Sequence, residues 1–290
     1  MDTKSLLCSI NEEEFVLFSD YIAEKSGVII PPEKAYLIET KLSKLMLDAG
    51  YESFKEFYYF LISNPDPLMT EKIINTITIN ETMWFRDASL WKALEELILP
   101  GFVEELRQRR KARVRVWSAA ASTGQEVYSA VMCVDNYLKR NRITDVSLSD
   151  FDFLATDISS NVIGIAKKGR YDKISIMRGL SDYYRSKYFS NEDSAWDIDP
   201  KIRQAVRFER FNLQDSYRAL GLFDIILCRY VLIYFSDESK REIVEKMRDS
   251  LTDRGVIFTG NYVLYELFKG DFDANHYDNL TYYSKKGKAV

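Results

Sequence analysis

Hydrophobic positions along this chain fall into two rhythms. Between residues 11 and 75 they recur every third or fourth position. EEFVLFSDYIAEKSG and EKAYLIETKLSKLMLDAG each run to a glycine, the pattern of amphipathic helices stopped by a left-handed cap. SFKEFYYFLIS follows, opened by Ser53 as an N-cap, NPDP breaks the chain, and LMTEKIINTIT completes a compact helical unit. From residue 113 onward strand-like runs alternate with helical ones: VRVWSAA, GQEVYSAVMCVDNYLKR, FDFLATD, SSNVIGIAKKG. After a less regular stretch come VRFERFNLQD, FDIILCRYVLIYF, the helix SDESKREIVEKMRDSLTDRG and the strand VIFTGNYVL. Such alternation predicts parallel pairing through right-handed crossovers, a doubly wound α/β sheet. No internal repeat interrupts it.

Composition removes several classes of chemistry. The chain of 290 residues has a single histidine, His276, so Ser-His-Asp or Cys-His nucleophilic catalysis and a histidine-rich metal site are not expected. Three scattered cysteines (Cys8, Cys133 and Cys228) lack metal-ligand spacing and suit a reduced, cytoplasmic setting. No apolar run approaches the roughly 18 residues of a membrane span, so direct membrane insertion is not expected. The opening MDTKSLLCSINEEEF does not read as a signal peptide. Residues 1–85 carry 14 acids against 7 lysines and no arginine, which disfavours a nucleic-acid partner. The basic run RQRRKARVR reads as a solvated helix end whose cations complement the carbonyl end of the helix dipole.

In a doubly wound sheet, ligands lie beyond the carboxyl ends of the strands. Four of those ends carry polar groups. The first strand runs into AAASTGQE, where small side chains let the backbone approach a ligand and Glu126 can accept from an ammonium. The second ends at Asp157, placed to accept from ribose hydroxyls, the third at NLQD with Asn212 and Asp215, and the fourth at Arg229 and Tyr230. Ser122, Asp157 and Ser159 read equally well as helix caps when each is taken alone. Together, without a phosphate-cradling glycine loop, the four ends favour S-adenosylmethionine over a dinucleotide.

At this point the residues match a known pattern. ITINETMWFRD, VRVWSAAASTGQEVYS, ATDISSNVIGIAKKGRYD, FNLQD, FDIILCRYVLIYF and GVIFTGNY occur in order over roughly residues 12–285. The sequence resembles the chemotaxis-receptor methyltransferases, the CheR-type family of protein-glutamate O-methyltransferases. The resemblance implies a helical N-terminal domain (1–78) and a class I, Rossmann-like S-adenosylmethionine domain (79–290) with a small antiparallel insertion at about 172–206. It implies methyl transfer from S-adenosyl-L-methionine, leaving S-adenosyl-L-homocysteine, to glutamates in the cytoplasmic domain of chemotaxis receptors. Carried over by position, Asn80, Thr82 and Arg86 help to cover the cofactor. Ala120 lies in the small-residue turn, Glu126 meets the methionine portion, and Asp157 meets the ribose. Asn212 and Leu213 flank the adenosine, Arg229 and Tyr230 follow the cysteine, and Arg86 and Tyr234 lie at the methyl-transfer site. The missing histidine fits, because a glutamate carboxylate is already ionised at neutral pH and attacks a sulfonium methyl without a general base.

This chain departs from the family pattern in four places. GQEVYS stands where the family has GEEPYS, CRY where it has CRN, the usual signature after Gly260 is missing, and the helical domain is acidic rather than basic. The ring of Tyr230 either stacks on the cofactor or partly fills its pocket. YFSNEDSAWDIDPKIRQAV lacks the glycine-bearing turn associated with grip on a receptor's C-terminal peptide, so a peptide-independent form is expected. Two alternatives stand beside methyl transfer to receptors: a signalling module that retains the fold and cofactor, and a methyltransferase for another substrate such as RNA. The acidic helical domain and the absence of an Asn-Pro-Pro-aromatic motif count against RNA.

Overall fold

A computed structural model describes residues 8–260 and 265–287. Helix α1 (Glu12–Ser26) starts at a reciprocal capping box between Asn11 and Glu14 and stops at Gly27, whose φ of 76° is the left-handed conformation. It packs with α2 (Ala35–Asp48), α3 (Phe54–Ser63) and α4 (Pro67–Ile77) around Phe18, Ile22, Ile38, Leu42, Phe57 and Ile73, all fully buried. Phe18 stacks on Phe57 at 5.8 Å and meets the edge of Phe54 at 5.4 Å. The chain then passes through α5 (Ala88–Ala93), a π-helical turn (Leu94–Ile98) and α6 (Leu99–Arg107). Much of the basic run lies beyond the end of α6. Arg107 pairs with Asp145, Lys111 with Asp224 and Arg115 with Asp152.

Strands β1 (Val114–Ala119), β2 (Phe151–Asp157), β6 (Val206–Arg210), β7 (Phe223–Leu227) and β8 (Leu251–Phe258) pair in parallel. Two strands absent from the sequence reading, β9 (Phe272–Tyr277) and β10 (Leu280–Lys285), add antiparallel at the β8 edge, giving the order β6-β2-β1-β7-β8-β10-β9. Helix α7 (Gln125–Arg140) crosses from β1 to β2, α8 (Ser160–Lys168) follows β2, and α12 (Asp237–Asp249) connects β7 to β8. From β1 the chain moves outward through β2 to β6, then returns to the other side of β1 for β7 and β8. The order therefore reverses between β1 and β7, and the crevice at their carboxyl ends is the topological switch point.

Between α8 and β6 lie β3 (Arg170–Asp172), α9 (Lys173–Met177), α10 (Asp182–Tyr188), β4 (Phe189–Glu192), β5 (Ala195–Ile198) and α11 (Pro200–Gln204). The three strands form a separate antiparallel sheet in the order β3-β5-β4. Its hairpin turns through Asp193 and Ser194, both at positive φ (49° and 68°). A short helix α13 (Tyr265–Phe268) precedes β9.

Two element boundaries differ from the sequence reading. The helix expected to run to Gly255 ends at Asp249, and β8 begins at Leu251. Leu251 is fully buried and pairs with Phe223, so sheet contacts claim a segment whose closing glycine looked like a helix stop. In FDIILCRYVLIYF the strand stops at Leu227, and the second apolar run is a 3-10 turn, Leu232–Tyr234. The expected strand VIFTGNYVL extends to residues 261–264, which lie outside the described residues.

Candidate functional site

The loop after β1 is shaped by left-handed backbone at Ala120 (φ 60°), Ser122 (51°) and Gly124 (93°). Ser122 donates its N–H to Asp157 Oδ2 (2.8 Å) and its hydroxyl to the Asn80 carbonyl (2.8 Å). It is not the cap of α7, since Gly124 occupies that position, whereas Ser159 does cap α8. Asp157 ends β2, buried, and also accepts from Ser159 N–H at 2.9 Å. Burial pushes its pKa up, and the backbone donors of Ser159 and Ser122 oppose that shift without cancelling it.

At the β7 end the arrangement is ionic. Arg229, just past the end of β7, lines the cleft with a side chain that is only 2% exposed. Its guanidinium donates to Asp87 Oδ2 (2.6 Å), to Glu126 Oε2 (2.8 Å) and to the Arg86 carbonyl (2.7 Å). Glu126 accepts a second bond from Ser118 Oγ at 2.7 Å. Burial alone would lower the Arg229 pKa; attraction by Glu126 and Asp87 outweighs it and holds the group above its ordinary value. Tyr230, at φ 59°, donates its hydroxyl to Asp87 at 2.6 Å. Asp87 escaped the sequence reading because, just ahead of a helix, it looks like an N-cap. In fact its φ is 62° and its side chain makes no capping bond.

The segment from Asn80 to Asp87 is pinned from behind. Trp84 donates Nε1 to the Ser175 carbonyl (3.1 Å) and its N–H to the Arg178 carbonyl (3.0 Å), and Phe85 N–H meets Ser129 Oγ (3.1 Å). Positive φ at Phe85 and Asp87 bends the chain around Arg86. The helical unit closes the other side. Ile29 N–H donates to the Tyr234 carbonyl (2.8 Å) and Asn212 Nδ2 to the Lys25 carbonyl (3.2 Å). Asn75 accepts from Ser159 Oγ (2.7 Å) and donates to Ser160 Oγ (3.1 Å).

These elements enclose a cavity of about 390 Å³, within the size range of small-molecule sites. Asn80, Thr82, Arg86, Ala120, Glu126, Asp157, Asn212, Leu213, Arg229, Tyr230 and Tyr234 all line it; Asp215 does not. Helical-unit residues also contribute, among them Ile29 and Lys34, as does Ile79 in the link that follows; sequence periodicity did not mark them. The donor set suits an adenosyl amino acid. Asp157 offers a fixed acceptor, Glu126 a second one beside Arg229, and the turn at Ala120 and Ser122 is free of bulky side chains. Among the described residues the Arg86 guanidinium has no hydrogen-bond or ion-pair partner, which leaves its donors available.

A doubly wound sheet whose switch-point cavity presents these groups is that of an S-adenosylmethionine-dependent methyltransferase. Residues 80–272 match the family profile "CheR methyltransferase, SAM binding domain", and residues 13–78 match "CheR methyltransferase, all-alpha domain". The chain belongs to the CheR methyltransferase family. It is 36% identical over 248 residues to "Chemotaxis protein methyltransferase Cher2" of Pseudomonas putida, covering 85% of this chain and 88% of that one. Identity and coverage are the same for "Chemotaxis protein methyltransferase 1" of Pseudomonas aeruginosa. "Chemotaxis protein methyltransferase" of Listeria monocytogenes is 32% identical over 249 residues, 86% of this chain and 89% of that one.

Proposed function

We propose that this chain transfers the methyl group of S-adenosyl-L-methionine to glutamate side chains in the cytoplasmic domain of chemotaxis receptors. The products are glutamate methyl esters and S-adenosyl-L-homocysteine. The observation that carries this reading is a switch-point cavity lined by the buried carboxylate of Asp157, by Glu126 beside Arg229, and by an Arg86 guanidinium with no hydrogen-bond or ion-pair partner among the described residues. When bound, S-adenosylmethionine supplies an electrophilic sulfonium methyl group. Asp157 accepts from the ribose hydroxyls, while Asn212 and Leu213 flank the adenine. Asn80 and Thr82 cover the cofactor, and the Ala120 turn lets the backbone approach it. Glu126, steadied by Ser118 and Arg229, receives the methionine ammonium. Arg86 and Tyr230 complete that end, and Tyr234 lines the transfer site.

An acceptor carboxylate and a sulfonium neutralise each other during transfer, so strong polar stabilisation of the reactants would slow the step. Alignment and exclusion of water supply the rate, with about 7–11 kcal/mol available from positioning. The helical unit serves that exclusion by closing over the cavity. The β4–β5 hairpin, with Asp-Ser at its tip rather than a glycine, supports activity without a receptor tail peptide.

The test is transfer of labelled methyl from S-adenosylmethionine to a purified receptor cytoplasmic fragment, with volatile methanol released by mild base. Cofactor binding without transfer to any receptor fragment would point instead to a signalling module. Base-stable label would exclude the ester. Tight calorimetric binding of an aromatic-acidic tail peptide would remove the peptide-independent part alone.

A further inference from the structure

We propose that Tyr230 is a positioning residue for Arg86. Its ring is a platform that holds the guanidinium edge-on to the cavity, so that Arg86 receives the α-carboxylate of the cofactor's methionine end. This rests on the cofactor reading above and adds a role for the residue that departs from the family pattern.

The geometry is specific. Arg86 Cζ lies 3.4 Å from the centre of the Tyr230 ring, close enough for a face-to-face cation–π stack. A tyrosine at φ 59° is strained, so its surroundings must hold it there. The hydroxyl is tied to Asp87, itself gripped by Arg229. The ring also lies against Gly260, where even a Cβ would come within 3.0 Å of Cε2, so the place of the ring depends on that glycine. Thus the ring is fixed and the cation upon it is otherwise unbonded among the described residues. A planar guanidinium held flat on an aromatic face keeps its in-plane N–H donors free for a carboxylate.

The charge arrangement selects which carboxylate. Arg229 commits both terminal nitrogens to Glu126, Asp87 and the Arg86 carbonyl, and its one unpaired donor, Nε, is buried. Glu126 is the acceptor for the ammonium, and Arg229 also holds the Arg86 carbonyl, tying Arg86 to the same corner. In an α-amino acid the carboxylate is two bonds from the nitrogen. Once the ammonium is on Glu126, the available cation for its neighbour is Arg86 rather than the rim residue Lys34, which is exposed.

Removing part of the ligand separates this role from a general packing role. Calorimetry compares S-adenosylhomocysteine with 5′-methylthioadenosine, which keeps the nucleoside but lacks the amino-acid end. Tyr230→Leu should weaken S-adenosylhomocysteine about 2- to 30-fold, the range of a cation–π contact, and change 5′-methylthioadenosine less than about 2-fold. Tyr230→Phe keeps the stack and should recover most of the loss. Arg86→Met should show the same ligand selectivity, and adding Tyr230→Leu to it should cost nothing more. Equal losses for both ligands in Tyr230→Leu would overturn the proposal, as would additive losses in the double variant or no loss at all. Should the leucine variant unfold, Tyr230→Met fills similar space without a π face and carries the same comparison. Wild-type protein that binds neither ligand would refute the underlying cofactor reading, a result distinct from any of these.

Discussion

Arg229 is the buried hinge of the site, and removing its charge tests whether the ionic floor holds the fold as well as the ligand. Its side chain is 2% exposed, and those of Asp87 and Glu126 are 14% and 12% exposed. Arg229→Met leaves a side chain of similar length with no donor, so two mostly buried carboxylates lose their shared cation. Breaking a buried pair from one side costs about 3–5 kcal/mol. At about 2–4 °C per kcal/mol for a chain of this size, the melting temperature should fall by about 10 °C. S-adenosylhomocysteine binding should also fall, because Glu126 loses one of the two bonds that orient it. Thermal unfolding followed by circular dichroism, with and without ligand, reads both effects. Adding Asp87→Asn and Glu126→Gln replaces the two carboxylate charges by amides and should restore part of the stability but not the binding. A melting temperature within about 2 °C of wild type, with binding intact, would mean that the cluster behaves like exposed ion pairs worth under about 1 kcal/mol, and the reasoning would fail.

The remaining predictions address the surroundings of the cavity. Asn75→Ala removes two hydrogen bonds to Ser159 and Ser160 beside the Asp157 loop, and should weaken S-adenosylhomocysteine about 5-fold at about 1 kcal/mol of binding energy, measured by calorimetry. Gly27→Ala places a Cβ 2.5 Å from the Phe235 ring at a left-handed φ, so stability in urea should drop by about 2–4 kcal/mol; an unchanged midpoint would contradict the close packing of the helical unit on the site. For Asp157 the signs are opposed. Burial raises its pKa, so protonation favours the apo fold and that contribution is lost as pH rises through the folded value, whereas ribose hydroxyls favour the ionised form. The thermal shift given by S-adenosylhomocysteine should therefore grow as pH rises from the ordinary carboxylate range near about 4 towards neutrality, and Asp157→Asn should flatten that slope.

What could be read from the sequence and what could not divide along physical lines. Strand ends were legible because buried parallel strands are continuous apolar runs, and a polar residue closing such a run at a switch point stands out. That is why Glu126, Asp157, Asn212, Arg229 and Tyr230 could be nominated before their cavity was known. Asp87 could not, because an acid before a helix has a cheaper explanation as a cap, and its positive φ and its bonds to Arg229 and Tyr230 are what separate the cases. The start of β8 was hidden for a related reason. Helical periodicity is local, whereas the pairing of Leu251 with Phe223 is decided across the sheet. Asn75, Ile29 and Lys25 act on the site through residues far along the chain, so no spacing rule reaches them. Tyr230 shows the limit most clearly. The sequence marks it as the odd residue of its block, but whether its ring obstructs, stacks on a ligand or supports another side chain depends on where Arg86 lies. With the guanidinium 3.4 Å above the ring and the hydroxyl on Asp87, the third role is the one its contacts support.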